Sequence, residues 1–447
     1  MAPQTPRHHR NLVIYEIFVR NHGPHGTLRD VEDDLPRIHA LGVDVIWLMP
    51  IHPIGQQHRK GSLGSPYSIR DYYGVNPEYG TQDDFRGLVE HAHALGLRVM
   101  LDMVFNHTAF DSDLVRDHLD WYHRGMDGGP YRAIQGWTDI VGFKHPNADL
   151  ENYLIGVLRY WAGLGVDGFR CDVASLLPKS FWREARQQLD GLRPGLLWLA
   201  ESVNAGFIAH ERAGGRSALS DCELYGVFDI TYDYDVWPIW QAAVTGRVPV
   251  SRYLEMLRFQ DCIYPANYVK LRYVEHHDSA RILGFAPTRA QALAWTAFQG
   301  FNKGAWLLYA GLESGGDHTP SLFDIDPIVW NQYGLESFLR SLALLKKDSA
   351  QVEGQFVVAA AEPAIQAAWQ YRDGSLYGVF NVSAASGAVD VQLPDGTYED
   401  LLGHTPVQVR AGKMCLPGSA AILRFHQDSE LRPFFSDLID FPKPAAG

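Results

Sequence analysis

Cysteine, positive charge and long apolar runs are all scarce in this sequence. Its four cysteines lie far apart without a CxxC pair, which argues against a zinc site and against a disulfide framework. The chain has 39 basic and 52 acidic residues, and the net charge of −13 disfavours binding to nucleic acid. Because no apolar run reaches membrane-spanning length, no membrane association is expected.

The amino terminus also lacks the pattern of a signal peptide. Residues 1–10 are polar, and the apolar segment 11–20 contains Glu16 and is typical of a strand. The sequence therefore predicts a cytoplasmic protein. Its oligomeric state is not indicated.

What the chain does contain is an alternation of short apolar runs with amphipathic segments. This alternation predicts parallel strands joined by helices, and eight strands is the number that closes a TIM-type (β/α)₈ barrel. An open, doubly wound sheet is the alternative fold. Glycines at three helix-to-strand joints, Gly42, Gly96 and Gly165, are predicted to be left-handed helix ends. The predicted strands are 12–19, 43–49, 97–105, 166–172, 196–201, 227–232, 268–275 and 304–310.

Two regions depart from this alternation. Residues 107–148, after the third strand, are rich in Gly, Asp, His and Trp and predict a short insertion subdomain. Beyond residue 346, short strands at 376–382, 389–393, 398–402 and 421–425 predict a C-terminal antiparallel, sandwich-like β-domain with a tail after 427. The predicted domains are therefore a barrel over 1–346 and a β-domain over 347–447.

Acidic residues end three of the predicted barrel strands. Asp172, Glu201 and Asp278 each follow an apolar run, and a barrel brings the carboxyl ends of its strands together. Arg170, two residues before Asp172, shares its face of the strand and is expected to keep that carboxylate ionised. Glu201 follows a Leu-Trp-Leu-Ala run, which favours a protonated carboxyl. Such a pair of carboxyl groups is typical of glycosidases.

A second interpretation comes from two histidines at strand ends. His107 and His277, together with Asp102 and Asp172, have the residue types of a metal-dependent barrel hydrolase. The first strand, however, ends without an HxH pair and the fourth without a lysine. The histidines therefore fit better as hydrogen-bonding groups for hydroxyls.

These residues resemble the motifs of the α-amylase superfamily of glycoside hydrolases, over about residues 15–425. The resemblance rests on four motifs in order: Asp102-Met-Val-Phe-Asn-His107, Gly168-Phe-Arg-Cys-Asp172, Glu201, and His276-His-Asp278. The segment Ser65-Pro-Tyr-Ser-Ile-Arg-Asp-Tyr72 is similar to the family's sequence after the second strand.

The resemblance implies a catalytic role for each of the three acids. Asp172 would be the nucleophile that forms a covalent glucosyl-enzyme, and Glu201 the general acid and base. Asp278 would bind hydroxyls of the distorted sugar, so that the anomeric configuration is retained. The resemblance also implies that six residues bind the substrate or position the groups that bind it: Tyr67, Asp102, His107, Arg170, His277 and Arg281.

The sequence also departs from the family pattern. His276 stands where the fourth motif usually has Asn, which is expected to alter local support rather than abolish activity. Asn106 matches a calcium ligand of many members, yet the insertion is short. The expectation is that no cofactor is required, with calcium left open.

The resemblance predicts a retaining hydrolase of α-1,4-glucosidic bonds in malto-oligosaccharides or starch-type α-glucans. A transglycosylase or isomerase acting on α-glucosides is the alternative, because the same glucosyl-enzyme would serve it. A non-enzymatic barrel is disfavoured by the presence of all three acids.

Overall fold

The computed structural model describes residues 4–131, 136–330, 334–372 and 374–426, so the predicted tail lies outside the described residues. Within these ranges, none of the helices has the length and apolar character that a bilayer span needs. Short 3₁₀ helices cover Arg7–Asn11, Leu119–Trp121 and Ala174–Leu176.

The strands, numbered in chain order, are β1 Val13–Ile17, β2 Val45–Leu48, β3 Arg98–Met103, β4 His107–Ala109, β5 Ile140–Gly142, β6 Gly168–Cys171, β7 Leu197–Ala200, β8 Ile230–Tyr232, β9 Val269–Arg272, β10 Ala305–Tyr309, β11 Gln355–Ala360, β12 Ile365–Gln370, β13 Ser375–Phe380, β14 Ala388–Asp390, β15 Gly396–Glu399, β16 Pro406–Val409, β17 Lys413–Cys415 and β18 Ala420–Phe425.

The helices are α1 Val19–His22, α2 Leu28–Ala40, α3 Gln82–Ala94, α4 Asp113–Asp117, α5 Ala148–Gly163, α6 Lys179–Leu192, α7 Ala205–Ala213, α8 Asp221–Leu224, α9 Trp237–Val244, α10 Val250–Ile263, α11 Ile282–Phe285, α12 Arg289–Phe301, α13 Glu336–Lys346 and α14 Ser349–Glu353.

Eight of these strands form a closed barrel in the order β1-β10-β9-β8-β7-β6-β3-β2. All eight pairings are parallel, and in one of them Asp102 on β3 is the register partner of Arg170 on β6. Every residue of β1, β2, β6 and β7 is buried, as expected of strands covered on both faces. The closed sheet confirms the predicted barrel and excludes the open, doubly wound alternative.

Local sequence signals explain where the helices begin and end. Thr27 and Thr81 form capping boxes with Asp30 and Asp84, so that α2 and α3 each begin with satisfied backbone donors. Helix α2 then buries four apolar side chains, Leu28, Val31, Leu35 and Ile38, at helical spacing.

The three predicted left-handed glycines are confirmed. Gly42, Gly96 and Gly165 have φ of +89°, +81° and +103°. A residue with a side chain is strained at such angles, so glycine allows the chain to leave the helix and enter the next strand.

The segment after β3 contains a small antiparallel ladder. His107 on β4 pairs with Gly142 on β5, and the short helix α4 lies between the two strands in sequence. The segment that follows β7 in sequence, without a clear helical pattern, holds α7 and α8. The predicted helix at 332–345 is α13, although residues 331–333 lie outside the described ranges.

By its contacts the chain divides into two compact units, each built from three segments. The first comprises Met1–Asp235, Tyr264–Gly284 and Gly304–Ala343 and contains the whole barrel sheet. The second comprises Val236–Ile263, Phe285–Lys303 and Leu344–Gly447. The domain boundary at residue 347 stays a prediction.

The second unit contains the predicted antiparallel β-structure. Its main sheet has the order β11-β12-β13-β18, and β14 pairs with β17 and β15 with β16. Strands β11 and β12 were not predicted, because each contains two adjacent alanines and lacks a strict apolar–polar alternation. Helix α12 belongs to the same unit, where Trp369 Nε1 donates to the Phe301 carbonyl at 2.7 Å.

Two glycines allow backbone strain to be separated from steric overlap. A Cβ at Gly96 meets nothing within 4 Å, whereas a Cβ at Gly165 lies 2.8 Å from Val89 Cγ1. We expect Gly96→Ala to reduce the free energy of unfolding by roughly 1–2 kcal/mol through strain alone. Gly165→Ala should cost more, because Val89 must also move. Denaturant titration measures both; equal losses would contradict the steric contribution.

Candidate active site

A buried guanidinium lies at the centre of the carboxyl end of the barrel. Arg170 Nη1 donates to Asp102 Oδ1 and to Asp172 Oδ1, both at 2.9 Å, and its Nη2 lies 3.0 Å from Glu201 Oε2. The Arg170 side chain is fully buried. Three carboxyl groups from the ends of β3, β6 and β7 are therefore held around one cation.

Burial controls the protonation of Asp172. It raises the pKa of this carboxyl to about 6; Arg170 opposes the rise and Asp102 adds to it. The expectation that Arg170 keeps Asp172 ionised thus holds less strongly than the sequence indicated, since one guanidinium is shared among three acids. At neutral pH the carboxylate form still prevails.

Glu201 is the more weakly acidic member of the pair. Burial raises its pKa to about 7, with Arg170 opposing and the charge of Asp172 reinforcing the rise. Its Oε2 accepts a 2.7 Å hydrogen bond from the Val173 backbone N–H. Val173 has φ of +36°, which is strained for a β-branched residue, and this backbone turn directs the N–H towards Glu201.

Asp278 lies at the mouth of the site with an entirely different electrostatic environment. Its side chain is 47% exposed, and its Oδ2 lies 3.2 Å from His277 Nε2. Burial would raise its pKa, but His277 outweighs that effect and holds the pKa well below the usual range. Asp278 is therefore a permanent anion beside two carboxyl groups that titrate near neutrality.

A buried carboxylate below the site holds His277. Its Nδ1 hydrogen-bonds to Glu16 Oε1, and Glu16 is fully buried on β1. Burial alone lowers the pKa of His277, but Asp278 and Glu16 together raise it well above its usual value. His277 is consequently an imidazolium between two anions.

Tyr67 connects this imidazolium to the carboxylates around Arg170. The Tyr67 hydroxyl donates to Asp102 Oδ2 at 3.0 Å and lies 2.8 Å from His277 Nε2. Because its single proton is given to Asp102, the hydroxyl oxygen accepts from Nε2, which agrees with a doubly protonated His277. The Tyr67 ring also stacks on the imidazole, with centroids 5.3 Å apart.

The remaining predicted residues differ in their access to the cleft. His107 lines it, and burial lowers its pKa to about 4, so that it is neutral. Asp102 is fully buried, and it accepts hydrogen bonds from Arg170, from Tyr67 and, at 3.2 Å, from Trp47 Nε1. Arg281 is 2% exposed, donating to Glu275 and to the Ala310 carbonyl at 2.6 Å each. Asp102 and Arg281 are not among the described residues that line the cleft.

His276, the residue in place of the usual Asn, supports the loop that carries Asp278. It is buried among tyrosine rings, its pKa is lowered by burial to about 3, and its Nδ1 accepts the Asp278 backbone N–H at 3.2 Å. A neutral ring thus orients Asp278 from below.

The fit of a metal ion can be judged from the ligand atoms. In the described ranges, the one group of three metal-ligating side chains within 4.8 Å is His276, His277 and Asp278. Both nitrogens of His277 are already hydrogen-bonded. Asn106 places its amide nitrogen 3.2 Å from His107 Nδ1. A metal-dependent mechanism gains no support from these contacts, and calcium at Asn106 stays open.

These groups border a cleft of about 170 Å³. Asp172, Glu201 and Asp278 line it together with Tyr67, His107 and Val173. The other lining residues come from loops and from the start of β5 and were not predicted as site residues from the sequence: Lys60, Ser65, Trp137, Asp139, Ile140, Leu322 and Phe323.

The most informative residue that the sequence reasoning missed is Glu16. Its signal was present, because a carboxylate inside the fully buried strand Val13–Ile17 needs a partner to offset its desolvation. The loop residues offered no such signal, since polar loop positions are ordinarily exposed.

We expect Glu16→Gln to lower the pKa of His277, because the substitution removes one of its two anionic neighbours while keeping the side-chain shape. Selective ¹⁵N-histidine NMR titration would follow the ring. His107, whose neighbouring anion is Asp139, provides the internal control and should not shift. A His277 pKa equal to that of the wild type would contradict this assignment of the charge balance.

The geometry can now be compared with known proteins. Residues 14–127 match the model of the alpha amylase catalytic domain, and residues 356–423 match that of the bacterial alpha amylase C-terminal domain. The crystal structure of an alpha-amylase from Lactobacillus plantarum superposes with a TM-score of 0.90 at 39% identity, over 94% of this chain and 100% of that one.

Curated relatives are longer. Alpha-amylase MalA of Haloarcula japonica is 28% identical over 385 residues, which are 83% of this chain and 53% of that protein. An alpha-1,4-glucan:maltose-1-phosphate maltosyltransferase of Streptomyces coelicolor is 34% identical over 212 residues, 42% of this chain and 31% of that protein. The chain thus spans about half and about a third of these two relatives. Its similarity along the full length of the Lactobacillus structure shows that the chain belongs to the alpha-amylase family.

Proposed function

We propose that this protein is a retaining glycoside hydrolase that cleaves α-1,4-glucosidic bonds of malto-oligosaccharides or starch-type α-glucans. The observation that carries the proposal is a pair of buried carboxyl groups, Asp172 and Glu201, that end neighbouring barrel strands, contact the same Arg170 guanidinium and line one cleft. Burial raises the pKa of Asp172 to about 6 and that of Glu201 to about 7, so both groups titrate near neutrality. Because of their places in the family's motifs, Asp172 is proposed as the nucleophile and Glu201 as the acid.

In the first step the Asp172 carboxylate attacks the anomeric carbon and the glycosidic C–O bond breaks. Glu201 gives its proton to the departing oxygen, which leaves as a free hydroxyl, and a covalent glucosyl ester remains on Asp172. In the second step Glu201, now a carboxylate, takes a proton from water while the water oxygen attacks the same carbon. Asp172 is released as a carboxylate, and two inversions retain the configuration.

The other residues of the site act on the sugar and its charge. Asp278 is anionic and exposed, so it can accept hydrogen bonds from hydroxyls and stabilise positive charge at the ring. His107 lines the cleft as a neutral ring, suited to donate to or accept from a hydroxyl. Tyr67 offers a ring against which an apolar sugar face can pack. His277, Asp102 and Arg170 hold these groups in place.

A second candidate is transfer of the glucosyl or maltosyl group to an acceptor other than water. The similarity to the Streptomyces coelicolor maltosyltransferase favours it, because both reactions use one sugar-enzyme ester. The difference depends on what enters the acceptor side once the first product has left. An isomerase would transfer the glucosyl group back to the sugar that has just left, but to a different hydroxyl of it.

Localisation and cofactor needs belong to the same proposal. The proposed enzyme is cytoplasmic and needs no cofactor, because the three carboxyl groups can complete the chemistry by themselves. Calcium would be structural if bound. The net charge of −13 suits a neutral glucan better than an anionic polymer.

Timed product analysis with maltopentaose tests the function. The wild type should release shorter sugars, whereas Asp172→Asn should be inactive with an unchanged melting temperature, because the change is nearly isosteric and removes the nucleophile. Products longer than maltopentaose would favour the transferase. Turnover by Asp172→Asn close to that of the wild type would refute the role of Asp172.

The two pKa values predict a bell-shaped dependence of kcat/KM on pH. Activity should fall below about pH 6 as Asp172 gains a proton, and above about pH 7 as Glu201 loses one. In Glu201→Gln the alkaline limb should disappear, which can be followed with α-glucosyl fluoride because fluoride leaves without a proton. Persistence of the alkaline limb in that variant would assign it to another group.

A further inference from the structure

Three loops that start from different barrel strands meet at one side of the cleft. Lys60 lies in the loop after β2, Asp139 in the segment after β3 and Phe323 in the loop after β10, and all three line the cleft. Lys60 Nζ is 2.9 Å from Asp139 Oδ1 and 5.7 Å from the centroid of the Phe323 ring. We call these three side chains the cleft wall. One lysine therefore joins the three loops.

Backbone hydrogen bonds brace the cleft wall from behind. The Leu63 N–H donates to the Phe323 carbonyl at 3.0 Å. Arg20, which is 4% exposed, donates from Nη1 to the Gly64 carbonyl at 2.9 Å and to the Leu322 carbonyl at 3.1 Å. Such a buried arginine with two carbonyl acceptors ties the loop after β2 to the loop after β10. These hydrogen bonds hold the two loops, and therefore the cleft wall, in a fixed position.

Barrel order places this wall opposite Glu201. Around the closed sheet, β7, which ends at Glu201, is four strands away from β1 in either direction. The loops that carry Lys60 and Phe323 follow β2 and β10, the two strands that flank β1. The strand that ends at Glu201 and the strands that lead to the Lys60 and Phe323 loops are therefore on opposite sides of the barrel, and Asp172, at the end of β6, lies beside Glu201.

This placement has a consequence for substrate length, which rests on the proposed function. The general acid protonates the oxygen that leaves, so the departing part of the glucan extends on the side of Glu201. The non-reducing part extends towards the cleft wall. The wall borders the cleft directly, because Lys60, Asp139 and Phe323 are all among its lining residues.

We propose that the cleft wall of Lys60, Asp139 and Phe323 closes the non-reducing side of the site, so that the enzyme removes single glucose units from the non-reducing end of an α-1,4-glucan. A chain that continued past the reacting sugar would have to separate Lys60 from Asp139 and displace Phe323. Internal bonds of a long glucan are therefore poor substrates, and the terminal residues are good ones.

The test compares p-nitrophenyl maltoheptaoside with the same compound carrying a 4,6-O-ethylidene group on its non-reducing sugar. Chromatography would measure loss of each heptaoside. We expect the blocked compound to be consumed roughly 100-fold more slowly or worse, because the blocking group must enter the closed end. Equal rates on the two compounds would overturn the closed wall while leaving glucan hydrolysis intact. No consumption of either would overturn the proposed hydrolysis, and the wall proposal with it.

Variants that open the wall make the assignment specific. The double change Lys60→Ala and Phe323→Ala should raise the ratio of blocked to unblocked rate by about tenfold or more, since the barrier is then removed from two of its three sides. Lys144→Ala, at an exposed lysine of the segment after β3 that does not border the described cleft, is the matched control and should keep the wild-type ratio. A wild-type ratio in the double variant, with its melting temperature showing a folded protein, would assign end selectivity to other residues.

Discussion

The ion cluster around Arg170 is the interaction on which the site depends. A buried guanidinium is stable only if it is paired, and here three carboxyl groups share it. One positive charge cannot neutralise three negative ones in a medium of low dielectric constant. Burial raises the pKa values of Asp102, Asp172 and Glu201 to about 6, 6 and 7, and the one guanidinium opposes this rise only in part. Asp172 and Glu201, which line the cleft, are thereby poised near neutrality for proton transfer.

The imidazolium of His277 is the second buried cation of the site, and it pairs with Asp278. It lies between Glu16 and Asp278, and Tyr67 links it through one hydroxyl to Asp102. Here the charge of His277 outweighs the effect of burial and lowers the pKa of Asp278, whereas at Glu201 burial outweighs Arg170 and raises the pKa. Two neighbouring regions of one cleft thus shift the pKa values of their carboxyl groups in opposite directions.

The barrel strands hold the groups that react, whereas the loops limit which substrates can enter. Strand ends hold the carboxyl groups in a fixed register, since each strand is buried and paired on both sides. The loops after β2, β3 and β10 add no acid or base to the reaction, but they determine how much space remains around the reacting sugar. In this division the same carboxylate chemistry could serve chains of different length by changes in loops alone.

The sequence by itself determined the barrel, the order of its strands and the three acids, because strand periodicity and strand-end polarity are local signals that survive without coordinates. Gly42, Gly96 and Gly165 were predictable for the same reason. Strands β11 and β12 were not, since a strand with adjacent alanines and no strict alternation is stabilised by its neighbours rather than by its own propensity. The roles of four other residues depend on partners that are distant in sequence: Glu16, Lys60, Asp139 and Phe323. Glu16, for example, contacts His277, which is 261 residues away. Tertiary structure alone decided the charge balance and the closed side of the cleft, because both depend on distances between groups that the linear chain does not specify.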